Sequence, residues 1–366
     1  MRVTSDYLCV RHLFELGLVA PAEVVEGEVV FIPAEGRNRN VEVRRGNVNS
    51  CFVKHPRSMA GADLTSREER AYAFLNEHAP DIRSHLPTAF DWGHGGSALV
   101  LDLIAEAESL YLLHMGSPSP PPTAIARELG RILAGVHSAP APRAADAVPR
   151  AGPPLVFSLT CVPYDVYCRL SAAEIECVME IQRAEHLGPL LDNLARDWVP
   201  QCFCHGDPRL GNVLVAQPAG EAPRVWLIDW EFAGVGDPAS DVGGMMAEYL
   251  SIWLSSMPDL PQVGADELVR TAGRPLTDVQ PAIKAMWRAY ADEAALHDDA
   301  RPRDLLKSIR FAAAGLVQIA LALGQRRPVI SGLQLLHLQV AENILVRPFE
   351  AAVQLFGFAY EEVVPA

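Results

Sequence analysis

Two stretches of this chain constrain its fold more than any others: Cys204-His205-Gly206-Asp207-Pro208-Arg209-Leu210-Gly211-Asn212-Val213-Leu214-Val215, and Leu227-Ile228-Asp229-Trp230-Glu231 further on. Val213–Val215 and Val225–Ile228 are short, apolar and rich in β-branched residues, which predicts two strands. Gln217-Pro218-Ala219-Gly220-Glu221-Ala222-Pro223 between them predicts the turn. The resulting hairpin sets Asn212 at the start of one strand and Asp229 at the end of the other. Both side chains then project from a rigid element toward one point, with Asp207 in the loop that leads in.

An acid, an amide and a second acid in this order are the parts that phosphoryl transfer needs. One carboxylate receives the acceptor hydroxyl, and an amide oxygen and another carboxylate hold Mg²⁺ on the phosphates. Asp207 fits the catalytic place; Asn212 and Asp229 fit the metal places. The Asp207-to-Asn212 spacing matches the kinase loop H-R-D-L-x-x-x-N, with Gly206 where that loop has arginine. Each residue taken singly could cap a turn or end a strand. All three in this arrangement point to chemistry.

His205-Gly206-Asp207 with Asn212, then Ile228-Asp229-Trp230-Glu231, then Gly236-Asp237-Pro238-Ala239-Ser240-Asp241 resembles the aminoglycoside phosphotransferase and choline kinase family. The resemblance implies an α+β fold of two lobes, like that of protein kinases. It implies a small β-rich N-lobe over residues 1–104 and a larger, mainly helical C-lobe over 105–366. It also implies ATP or GTP with Mg²⁺ as cofactors. The aspartate matching Asp241 supports the catalytic loop in that family, so Asp237 and Asp241 stay outside the catalytic set.

The rest of the chain supplies compatible parts. Residues 7–16 predict a helix ended by Gly17. Glu28–Pro33, Asn40–Arg45 and Ser50–Lys54 predict three strands. The connection Ala34-Glu35-Gly36-Arg37-Asn38-Arg39 stands where a nucleotide-covering loop belongs but has a single glycine. Arg37 or Arg39 could offer charge to phosphates there; the other reading is a solvated hairpin tip. Lys54 ends the third strand, where a kinase lysine holds the α- and β-phosphates. The predicted helix Leu64–His78 carries Glu68 within an otherwise apolar stripe. A buried acid needs a partner, so Lys54 is its expected counter-ion. The competing reading is a cap at Thr65 with Glu68, or a capping box of Ser66 with Glu69.

Ala98–Leu101 predicts a buried strand, and by its order in the chain the resemblance makes Asp102 to Ile104 the hinge that meets adenine. Ser117–Pro122 reads as a stiff connector, Thr123–His137 as a helix whose His137 is structural, and Ser138–Pro154 as a flexible loop. Helices are expected at Ser171–Arg183, Leu187–Trp198, from Val242, and at Leu276–Leu296, Arg303–Leu323 and Ser331–Leu355. Phe232–Asp241 reads as loop. In the resembling fold the later helices line the acceptor pocket.

Lys plus Arg number 31 against 45 Asp plus Glu, a net charge of −14, which argues against nucleic acid and anionic membranes as partners. The seven cysteines form no framework and fit reduced thiols in a cytoplasm. Cys202-x-Cys204-His205 lacks a second C-x-x-C or spaced histidine pair, which argues against a zinc site built from that stretch. No uninterrupted apolar run reaches membrane-span length, and no signal sequence is evident at the start.

The acceptor is a hydroxyl compound, either peptide or small molecule. Arg37-Asn38-Arg39-Asn40, the helical stretch from Leu170-Ser171-Ala172-Ala173 to Gln182, and Leu16-Gly17-Leu18 resemble the subset of the family that phosphorylates Ser or Thr of precursor peptides in lanthipeptide or thioamide-peptide pathways. A separate lyase would then be a partner. The alternative is an aminoglycoside, macrolide or amino-sugar acceptor. A silent, kinase-like binding protein is disfavoured by the presence of Lys54, Asp207, Asn212 and Asp229. Arg209 lies in the catalytic loop, facing either the acceptor or a neighbouring acid.

Overall fold

The computed structural model describes residues 6–34, 36, 38–46, 50–90, 98–104, 106–141, 148, 152–218, 220–258 and 265–364. Arg37, expected at the nucleotide, lies outside the described residues.

The N-terminal part is a helix, α1 (Asp6–Glu15), a short α2 (Pro21–Val25), and a sheet of β1 (Val29–Ala34), β2 (Arg39–Arg45), β3 (Cys51–His55), β4 (Ala89–Phe90) and β5 (Leu99–Asp102). The spatial order is β1-β2-β3-β5-β4, antiparallel throughout. A long helix, α3 (Met59–His78), connects β3 to β4. Strand alternation divides the residues between two faces. Val41, Val43, Cys51, Val53, Ala98 and Val100 pack with Leu13 and Val19 into a small core beneath α1. Leu99 and Leu101 point the other way, into the large core with Tyr72 and Leu75 of α3. Lys54 pairs with Leu99 in register, so its side chain shares the α3 face.

The helix α3 begins five residues earlier than its apolar stripe suggests, at Met59. Ser58 is its N-cap and accepts the Gly61 N–H at 3.1 Å. Thr65, a candidate cap, is instead nearly two turns inside; its hydroxyl donates to the Gly61 carbonyl at 2.9 Å. Pro56 and Ser58 explain the start, as a turn followed by a capping hydroxyl.

The larger part opens with β6 (Glu108–Ser109), α4 (Leu110–Met115) and α5 (Thr123–His137). Then come α6 (Ala172–Arg183) and α7 (Leu187–Asp197), and four strands: β7 (Cys202–Cys204), β8 (Val213–Ala216), β9 (Arg224–Leu227) and β10 (Gly234–Gly236). The helices that follow are α8 (Pro238–Leu254), α9 (Leu276–Glu293), α10 (Arg301–Gly324), α11 (Gly332–Val346) and α12 (Pro348–Gln354). The expected β8–β9 hairpin is present, extended by β6 into a three-stranded sheet. Gly234–Gly236 was expected as loop; it pairs antiparallel with Cys202–Cys204 instead. Two glycines around one valine give no strand signal, so the neighbour decides the conformation. The single helix expected over Ser331–Leu355 breaks at Arg347, because Pro348 cannot donate to the helical ladder.

α10 is long and apolar enough to cross a membrane by composition alone. Its Leu305, Ile309, Ala312, Leu316 and Ala320 are fully buried in the large core, as befits a central helix of a globular protein. It packs on α8, where Gly243 permits close approach: a β-carbon there would meet the Ser308 carbonyl oxygen at 2.4 Å. The architecture is α+β and two-lobed, as expected.

Candidate active site

Three elements present charged groups to one point at the junction of the sheet and the larger part. β3 brings Lys54, α3 brings Glu68, and the turn after β9 brings Asp229. The Lys54 ammonium lies 2.8 and 2.9 Å from the two Glu68 carboxylate oxygens and 2.5 Å from Asp229 Oδ1. Glu68 is fully buried and Lys54 nearly so. Burial alone would favour a neutral lysine; the carboxylates of Glu68 and Asp229 outweigh it and hold the ammonium above the usual lysine range. The pair expected from the apolar stripe of α3 is thus present, and its second acid is Asp229.

Asp229 has φ +69°, a left-handed backbone conformation that costs a non-glycine residue on the order of 1 kcal/mol. The surrounding structure holds it. Trp230, fully buried, donates from its indole N–H to the Leu227 carbonyl at 3.1 Å. Its ring stacks on Phe203 and meets His205 at a centroid distance of 4.5 Å.

The loop Cys204–Asn212 is held by side chains that accept its backbone N–H groups. Asp241 takes the His205 N–H at 2.6 Å on one carboxylate oxygen and the Gly206 N–H at 3.1 Å on the other. Asp241 thus supports the loop, as the resemblance implies; α8, expected from Val242, starts earlier, with Asp237 as N-cap and Pro238 in its first turn. The proline at N1 was the signal that places the start. Asp237 also accepts the Val199 N–H at 2.8 Å and the Lys307 ammonium at 2.5 Å. His205 Nδ1 accepts the Asp207 N–H at 3.3 Å, so Nε2 carries the proton and donates to the Ile228 carbonyl at 2.9 Å. One buried imidazole thereby ties the Asp207 peptide to the residue before Asp229. Gly206 has φ +82°, and a β-carbon there would meet the Phe232 carbonyl oxygen at 2.4 Å. Glycine is required at this turn on both counts.

Asn212 donates its side-chain amide N–H to the Asp207 backbone carbonyl at 3.0 Å, and its backbone carbonyl accepts the Ile228 N–H at 3.0 Å. Its amide nitrogen is thus engaged, leaving the amide oxygen as the group that can meet a cation. An amide oxygen with the Asp229 carboxylate is a hard-oxygen donor set of the kind Mg²⁺ takes. Asp207 Oδ1 accepts the Gln318 amide N–H of α10 at 3.0 Å, and Arg209 Nη1 lies 3.9 Å from Asp207 Oδ2.

Asp207 lines a pocket open to solvent. Val156, Phe311, Ala314, Ile319 and Ala322 form an apolar wall; Glu248 and Gln318 are polar groups on it. Glu248 accepts the Leu210 N–H at 3.0 Å. Burial raises its carboxyl above the usual range, opposed by the Arg209 guanidinium and by that N–H. Gln318 and Glu248 were not picked out as site residues from sequence. Gln318 interrupts an apolar helix, which was a signal; nothing local marked Glu248.

Asp102 and Ile104 sit at and beyond the end of β5. The Asp102 N–H donates to the Thr88 carbonyl at 2.9 Å and the Leu103 N–H to the Ser50 carbonyl at 3.0 Å, so both donors serve the N-terminal part. The Ile104 carbonyl accepts the Ala107 N–H at 3.2 Å. Among the described groups, these two residues are not brought onto the Lys54–Glu68–Asp229 cluster by any of these bonds.

With this geometry in view, the model of the phosphotransferase enzyme family APH matches residues 28–276, more than half of the chain. The chain belongs to this phosphotransferase family. It is a phosphotransferase. A glucosamine kinase, solved with glucosamine, ADP and inorganic phosphate, matches at 17% identity and a TM-score of 0.51, over 89% of this chain and 84% of that one. A choline/ethanolamine kinase family protein from Mesorhizobium loti matches at 18% identity and a TM-score of 0.48, over 96% and 98%. The macrolide 2'-phosphotransferase MphH from Brachybacterium faecium matches at 18% identity and a TM-score of 0.46, over 88% and 93%. At such identities the likeness concerns the fold. No curated protein sequence matches the chain.

Proposed function

We propose that this phosphotransferase moves the γ-phosphoryl group of ATP to a hydroxyl of a small molecule, with Asp207 as the catalytic carboxylate. The observation that carries the reading is the Lys54 ammonium held between Glu68 and Asp229, while Asp207 faces a separate pocket from the end of a fixed loop. Lys54, positioned by Glu68, binds the nucleotide phosphates. Asn212 and Asp229 would hold Mg²⁺, which would supply neutralisation of the phosphate charge. Asp207, turned by the Gln318 amide, orients the acceptor hydroxyl and takes its proton as the new P–O bond forms and the bond to the ADP oxygen breaks. The division at residues 104 and 105 then separates the nucleotide lobe from the acceptor lobe. The work is positioning and charge neutralisation, and GTP could serve the same groups.

The pocket also supports a class of acceptor. Among the described residues its carboxylates are Asp207, Asp241 and Glu248, of which Asp241 serves the loop and Glu248 serves Leu210 and Arg209. Its apolar wall suits a hydroxyl compound with one apolar face and at most one positive charge. The precursor-peptide acceptor, with its partner lyase, is supported by the sequence resemblance alone.

The test is mass spectrometry of reactions with Mg²⁺-ATP and a panel holding amino sugars, aminoglycosides, macrolides, apolar amino alcohols and candidate precursor peptides. A phosphate-mass gain on a small molecule, absent with Asp207→Asn, is the expected result. A gain confined to a peptide overturns the small-molecule reading. Bound nucleotide with no transfer to any acceptor overturns the catalytic one.

A further inference from the structure

The helix α10 lines the pocket beside Asp207 with Phe311, Ala314, Gly315, Gln318, Ile319 and Ala322. Their spacing of three and four puts them on one face of the helix. Among these residues Gln318 alone is polar, and it is exposed to the pocket's solvent. Close packing one turn earlier sets its place. A β-carbon on Gly315 would lie 2.7 Å from the Ala247 β-carbon and 3.3 Å from the Gly244 α-carbon of α8. Gly244 in turn lies against Pro208, the neighbour of Asp207 in the loop.

The Gln318 amide donates to Asp207 Oδ1 at 3.0 Å. An ionised carboxylate only accepts, so the amide turns its nitrogen to Asp207 and keeps its oxygen for another donor. Among the described residues that oxygen meets none. The oxygen and nitrogen of one carboxamide are about 2.2 Å apart. Gln318 Oε1 therefore lies at most about 5 Å from Asp207 Oδ1. The pocket thus holds two acceptors side by side, a carboxylate for the reacting hydroxyl and a neutral amide oxygen next to it. Two heteroatoms on adjacent or next-but-one carbons stand about 3–5 Å apart in staggered conformations, a span that matches the pair. Phe311 and Ile319 on the same helix face cover the carbon frame that carries them.

We infer that Gln318 determines specificity: its amide oxygen accepts a hydrogen bond from a hydroxyl or amine one or two carbons away from the hydroxyl that is phosphorylated. The acceptor class is then a 1,2- or 1,3-diol or amino alcohol on an apolar frame. The inference rests on the proposed transfer to a small molecule and narrows it. The neighbouring group keeps its proton and takes no part in the transfer. Only the reacting hydroxyl yields a proton, to Asp207, as its bond to phosphorus forms and the bond to the ADP oxygen breaks. An acceptor with a lone hydroxyl leaves the amide oxygen unmet where the bound molecule shuts out water. A residue that merely turned Asp207 would slow every acceptor alike, and this separates the two roles.

The full chain is assayed with Mg²⁺-ATP and four probes: cis-cyclohexane-1,2-diol, trans-2-aminocyclohexanol, 2-methoxycyclohexanol and cyclohexanol. Product is read as phosphate-mass gain, with Asp207→Asn as the blank. The diol, the amino alcohol or both should show a kcat/KM about tenfold above the methoxy compound and cyclohexanol, and the two donor arms tell hydroxyl from amine. In Gln318→Met, which keeps the length and loses the amide, that ratio should fall to near one whatever the common loss of rate. A ratio near one in the unaltered protein overturns the inference, as does a ratio unchanged in Gln318→Met. Should the probes stay unmodified while another small molecule gains phosphate, the same comparison is made between that molecule and its analogue lacking the neighbouring donor. Transfer confined to small molecules with a lone hydroxyl overturns the inference and leaves small-molecule transfer standing; transfer to no small molecule overturns both.

Discussion

Asp207 and Lys54 are held by opposite means, and mutation should separate them. Asp207 accepts from the neutral Gln318 amide, lies 3.9 Å from the Arg209 guanidinium, and remains half-buried. Asp207→Asn keeps the shape and removes the proton acceptor, so turnover should fall by roughly 10²–10⁴-fold with little change in melting temperature. Lys54 belongs to a buried charge cluster. Glu68→Ala should cost about 3–5 kcal/mol in denaturant unfolding, because one side of a buried ion pair is lost. Glu68→Gln should preserve more of the fold and raise the KM for ATP more than it lowers binding of the acceptor; equal effects on both substrates would sink the assignment of Lys54 to nucleotide. The ion pair was legible in the sequence, since an acid in an apolar helical stripe must find a cation and Lys54 ends the preceding strand. The contact of Gln318 with Asp207 was not, because which face of α10 meets the loop depends on the crossing of two helices far apart in the chain.

At the scale of elements, α8 and α10 set the floor of the pocket. Their approach depends on Gly243, where even one added carbon meets the backbone of α10. Gly243→Ala should therefore destabilise the fold by about 1–3 kcal/mol and, in what remains folded, raise the KM for the acceptor while leaving that for ATP nearly unchanged. Calorimetry and steady-state kinetics on the same preparation would check both parts. The strands and most helices could be read from period and capping signals. β10 could not, since Gly234-Val235-Gly236 has no preference of its own and forms only against Cys202–Cys204. The break before α12 could have been read, because Pro348 stood inside the expected helix. The start of α8 was misplaced although a signal stood there: Asp237-Pro238 is a cap followed by an N1 proline, while Asp241 serves the loop as the resemblance implied.

For the whole molecule, two buried histidines work against the fold in acid, while Glu68, pushed up to about 7 chiefly by burial, works the other way. His114 is held down to about 4 by burial and by the Arg274 guanidinium. His337 is likewise lowered to about 4 by burial, against a helping bond to the Leu333 carbonyl. Unfolded, each titrates near about 6.5. Between those values the unfolded chain binds more protons at these histidines than the folded one, so their contribution to stability falls as pH drops from about 6.5 to 4. Each group contributes up to about 3 kcal/mol to that loss. The change in stability between denaturant melts at pH 7 and pH 4.5 should move toward greater stability in acid in His337→Gln; an unmoved difference would remove His337 from the account. The suspension of the catalytic turn from Asp241 has a further consequence. Asp207 and its pocket ride on one body, through bonds from α8 to the loop backbone and a contact from α10. Lys54 and Glu68 ride on the other, and the Lys54–Asp229 contact reaches across. A rocking motion between the bodies would carry the donor away and leave the acceptor seated against its base. The enzyme could then exchange spent nucleotide for fresh without letting the acceptor go, so that repeated rounds on one multiply hydroxylated molecule need not each begin with a new encounter.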